Sequence, residues 1–76
     1  MNKARREALL DVSRQIRDIA ERLESLWHDE EEYLDNMPEN LQGSERYEKA
    51  DEAVRSIESA IDILNEAVEY IEAATE

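Results

Sequence analysis

The chain has 76 residues and a formal net charge of −12, from 21 Asp and Glu against 9 Lys and Arg, with one Gly, one Pro and no Cys or Phe. These numbers exclude a disulfide framework, a thiolate metal site and a Cys nucleophile, a Gly-rich phosphate loop and a grip on a phosphate backbone, which rewards positive charge. Hydrophobic residues make up 41%, so the chain need not be a disordered acidic tail, and no apolar run is long enough for a membrane span or signal peptide.

The first predicted element is a helix over residues 3–36. Its residues Leu9, Val12, Ile16, Ile19, Leu23, Leu26, Glu30 and Tyr33 are spaced alternately three and four apart. This is a heptad seam, with Leu9, Ile16, Leu23 and Glu30 at a and Val12, Ile19, Leu26 and Tyr33 at d. Only Glu30 breaks its apolar character. Met37 precedes Pro38 and is biased away from helix, which opens a loop over 37–43. Asp35, Asn36 and Asn40 are turn formers there. Pro38 suits the start of a short helical turn through Leu41, and Gly43 suits a left-handed conformation. Ser44 then reads as an N-cap, followed by Glu45 where the helix dipole favours a carboxylate. The second helix covers 44–74, and its seam of Tyr47, Ala50, Val54, Ile57, Ile61, Leu64, Val68 and Ile71 repeats the spacing. Two helices of matched length with a short link predict an all-α antiparallel hairpin.

Folding about Asn40, so that partner numbers sum to 80, pairs every seam residue. Leu9 meets Ile71, Val12 meets Val68, Ile19 meets Ile61, Leu26 meets Val54, and Tyr33 meets Tyr47 at the tip. Arg6 and Glu72 fall at facing e positions. Charge is graded along the hairpin. Residues 1–22 carry six basic and four acidic groups, residues 23–52 two and eleven, and residues 53–76 one and six.

The second helix carries a further apolar edge. Its g positions Ala53, Ala60, Ala67 and Ala74 are all alanine, and the adjacent c positions add Ile63 and Tyr70. Small residues on an edge let another helix approach closely, and a core this small rarely supplies more than about 3–5 kcal/mol. The expectation is therefore a homodimer, two hairpins forming a four-helix bundle through Ala60, Ile63, Ala67, Tyr70 and Ala74. The first helix has its own e-position flank of Ala20, Trp27 and Leu34, which an ideal hairpin places on the opposite side, and the spacing alone does not choose between the two flanks.

Candidate chemistry is sparse. Asp29, Glu30, Glu31 and Glu32 follow one another on a helix, point in four directions and lack the alternating ligands and central Gly of a calcium loop. His28 has no Glu three residues before it, so a di-iron helix motif fails. Glu30 on the seam is expected to reach water past Ala50 rather than to act as a buried acid. No nuclease, kinase or hydrolase motif appears, and no cofactor, metal or enzymatic activity is expected. Partner binding is the remaining role for the acidic tip, with Trp27 and Tyr33 as aromatic anchors beside Asp29, Glu30, Glu31 and Glu32.

The run from Asp29 to Arg46, DEEEYLDNMPENLQGSER, together with the opening MNKARR and the Ile/Leu/Glu-rich repeats after Ala50, resembles small uncharacterised acidic helical proteins of bacteria and their phages and prophages. The resemblance implies a cytoplasmic bacterial or phage origin and carries over no functional residue. Two functions stand as expectations. One is a small non-enzymatic protein–protein interaction protein with no membrane or direct nucleic-acid partner. The alternative is an acidic nucleic-acid mimic that inhibits a basic host or defence complex.

Overall fold

A computed structural model describes all 76 residues. Helix α1 spans Lys3–Asp35, a 3-10 turn spans Glu39–Leu41, and helix α2 spans Glu45–Ala74. The helices pack as an antiparallel hairpin measuring 60 × 15 × 13 Å over its Cα atoms.

Both helix starts are capped by side chains. Ser44 Oγ accepts from the Tyr47 amide at 3.2 Å, as the sequence predicts, and Glu45 and Glu48 occupy the first turn. Asn2 does the same for α1, its Oδ1 accepting from the Arg5 amide at 2.7 Å. That cap is legible in the sequence as an Asn just ahead of the first helical residue.

The tip closes with the turn after Pro38. The Leu41 and Gln42 amides donate to the Pro38 and Glu39 carbonyls, and the Ser44 amide to that of Leu41. Met37 is buried beneath it. Gly43 has φ +87°, the one positive φ in the chain, and a Cβ placed there meets nothing within 4 Å. The cost of a side chain is therefore conformational, not steric. Gly43→Val is expected to lower stability by about 1–2 kcal/mol and Gly43→Asn by less, measurable by urea unfolding.

On α2 the seam lies where the spacing put it. Ala50, Val54, Ile61 and Val68 are buried, and Tyr47, Ile57, Leu64 and Ile71 are half-buried. On α1 it does not. Leu9, Ile16, Leu23 and Glu30 at a are half-buried, but Val12, Ile19, Leu26 and Tyr33 at d are 43–54% exposed. Their places are taken by the e positions: Ser13 and Ala20 are buried and Trp27 and Leu34 half-buried. The helix has turned so that its e positions replace its d positions beside a.

Two physical reasons favour that turn. Trp27 brings more apolar area to the seam than Leu26. Ser13 and Ala20 are small enough to let the α2 backbone come close. The alternatives were invisible in spacing, because 9-12-16-19 and 9-13-16-20 both alternate three and four. The expected layers through Val12, Ile19 and Leu26 are thus left about half open within the hairpin. Nor do Tyr33 and Tyr47 pair; the one aromatic contact is Trp27 with His28, edge to face at 4.9 Å.

The cross-helix ion pair also differs. Glu72 receives Arg17, not Arg6. Helical side chains lean toward their own N-terminus. In an antiparallel pair Glu72 and Arg17 therefore lean toward each other, whereas Arg6 leans away and its Nη2 donates to the Met1 carbonyl. The Arg17–Glu72 pair is about half exposed on both sides, so it adds at most about 1 kcal/mol.

Candidate interaction surfaces

Helix handedness decides which flanks share a side. Reversing a helix reverses its sense of winding as seen from one end. In an antiparallel pair the d and g positions of both helices therefore lie on one side of the plane through the two axes, and the b and e positions on the other. Arg17 at b and Glu72 at e meet on that second side, as this rule requires.

With α1 turned, its e flank of Ala20, Trp27 and Leu34 closes into the seam instead of forming a separate surface. Its d stripe opens instead. That stripe lies on the same side as the alanine edge of α2, which corrects the expectation of two apolar flanks on opposite sides. One open side thus carries Val12, Ile19, Leu26 and Tyr33 from α1. From α2 it carries Ile63 and Tyr70, exposed by 64% and 71%, beside half-buried Ala60 and Ala67 and exposed Ala74. The stripe on α1 was written in the sequence as seam. Its exposure was hidden because, of two equally spaced stripes, the more apolar one ordinarily faces the partner helix.

The remaining candidates gather at the tip. Asp29 and Glu32 are exposed, and Glu30 and Glu31 half-buried. No three His, Asp or Glu side chains converge where a metal ion would sit. Trp27 stands half-buried in the seam, its Nε1 shielded and without a hydrogen-bond partner. Tyr33, Asn36, Met37, Pro38, Leu41 and Arg46 line an open pocket of about 280 Å³. Its apolar floor and single guanidinium make it a shallow dock for a side chain rather than an enclosed reaction chamber. No helix is long and apolar enough to cross a membrane.

No protein-family model, curated protein or solved structure matches the chain.

Proposed function

We propose that the chain is a small, self-associating, non-enzymatic protein–protein interaction protein of cytoplasmic bacterial or phage origin. The observation that carries this reading is the open apolar side. Large hydrophobic side chains stand exposed at regular intervals along both helices, where single scattered ones would be ordinary. The sequence resemblance supports the origin.

A second reading draws on the charge gradient. Residues 23–52 hold eleven of the 21 acidic groups and two of the nine basic ones, so the tip end carries a strong negative field. Such a field suits the basic groove of a nucleic-acid-binding protein, and the chain would then act as an inhibitor that imitates nucleic acid.

Capture from a bacterial lysate, with and without phage infection, separates the two. An apolar interaction is expected to survive salt, to weaken when Tyr33 or Tyr70 is cut to Ala, and to ignore reversal of Asp29 and Glu32 to Lys. A mimic is expected to release its partner steeply as salt rises and to lose it on that reversal. Capture that resists salt, with no effect of the reversal, eliminates mimicry.

A further inference from the structure

The geometry points to a second copy of this chain as the occupant of the open side, with the two hairpins antiparallel and their acidic tips at opposite ends of a four-helix rod. This deepens the self-association reading and rests on it. It names the face and the orientation.

Surface area supports the occupant. The single hairpin exposes 5859 Å², whereas a compact protein of its mass exposes about 4,800 Å². Two separate copies expose about 11,700 Å², and a compact body of twice the mass about 8,000 Å². The difference, about 3,700 Å², lies within the range of obligate interfaces of about 2,000–5,000 Å². A rod that realises half of it still reaches the standard interface size of about 1,600 Å². Burial within one hairpin is correspondingly poor. Seven of 76 residues are buried, and no large side chain is fully covered.

The pattern on the face also fits a like surface. The α1 stripe Val12, Ile19, Leu26 and Tyr33 repeats every seven residues, the period one helix needs to track another along its length. On α2, Ala60 and Ala67 leave room for a neighbouring backbone between Ile63 and Tyr70. Stacking two such faces about a two-fold axis across the rod lays α1 on α1 and α2 on α2, each pair antiparallel. Stacking about an axis along the rod instead brings both tips together.

Charge chooses between these arrangements. Residues 23–52 carry a net −9, from two basic and eleven acidic groups, and the rest of the chain a net −3, from seven basic and ten acidic. Tips together would set −9 against −9. Tips apart set each −9 end against the other copy's −3 end, where Arg5 at d and Arg22 at g lie on the open side itself. The second repels far less.

Three measurements on the full chain test this. Light scattering of the unaltered chain at micromolar concentration is expected to give twice 8.9 kDa, with a Tm that rises with concentration. A strictly monomeric mass overturns self-association itself. The doubly substituted Ile19→Glu/Leu26→Glu chain is expected to lose that mass where the unaltered chain keeps it, folded or not. Leu10→Glu, at a b position on the opposite side, is expected to retain it. A stable dimer with both carboxylates on the α1 stripe overturns the face while leaving self-association standing. Finally, the absence of Cys lets Asn40→Cys carry a single nitroxide at the tip. The expected label-to-label distance is near the 60 Å length of the rod. A distance within about 25 Å, a few helix widths, overturns the orientation alone.

Discussion

Ala20→Glu is expected to cost several kcal/mol and to abolish most of the helical signal at 25 °C. Heptad spacing assigns Ala20 to an e position, the flank where a glutamate is commonplace and harmless. In the folded hairpin Ala20 is 4% exposed, at a point where α1 and α2 approach each other. A carboxylate there must either lose its water without a cationic partner or force the helices apart. Either outcome exceeds the ordinary effect of a surface substitution, about 0.5 kcal/mol. Far-ultraviolet circular dichroism with urea unfolding reads the result. A fully stable Ala20→Glu chain would mean that α1 uses its d positions after all.

The second large effect belongs to Ile61. It is among the four buried residues of α2, with Ala50, Val54 and Val68. Ile61→Ala removes buried methyl and methylene groups and leaves a cavity that a thin seam fills only partly. The expected loss is about 2–3 kcal/mol, and Tm falls by roughly 10–20 °C for a chain of this size. Leu10→Ala is the contrast. Leu10 is 38% exposed at a b position that flanks the seam on the side opposite the open face, so a smaller loss of about 1 kcal/mol is expected. Equal losses at the two positions would place the core elsewhere. The comparison is made at one protein concentration, since association adds to apparent stability.

Local chemistry made the elements legible. Pro38 and Gly43 punctuate one place, Ser44 supplies a cap three residues ahead of the amide it binds, and the apolar spacing on either side runs long enough to demand helices. These signals act over a few residues of chain, so the bounds of both helices, the short turn after Pro38 and the positive φ of Gly43 could all be read from sequence. The α2 seam was equally legible. Its alternatives at g are Ala53, Ala60, Ala67 and Ala74, and burying Val54, Ile61 and Val68 gains more than burying those alanines would.

The α1 seam and the candidate site followed a different logic. Each of two stripes shares Leu9, Ile16, Leu23 and Glu30, one adding Val12, Ile19, Leu26 and Tyr33, the other Ser13, Ala20, Trp27 and Leu34. Spacing ranks them by apolar character and selects the first. Packing ranks them by how closely the backbones approach and how much area Trp27 covers, and selects the second. The same rotation carries the first stripe to the side that α2's alanine edge already occupies, and so joins two separate patches into one face.

Length and charge, then, were settled by the sequence alone. Seventy-six residues with a net −12 make a long hairpin whose acidity concentrates at the tip, because both properties follow from the order of residues along two helices. Which side of that hairpin stays open was decided only in three dimensions. Turning one helix so that e replaces d beside a costs nothing in spacing, yet it exchanges buried for exposed between the d and e positions along α1.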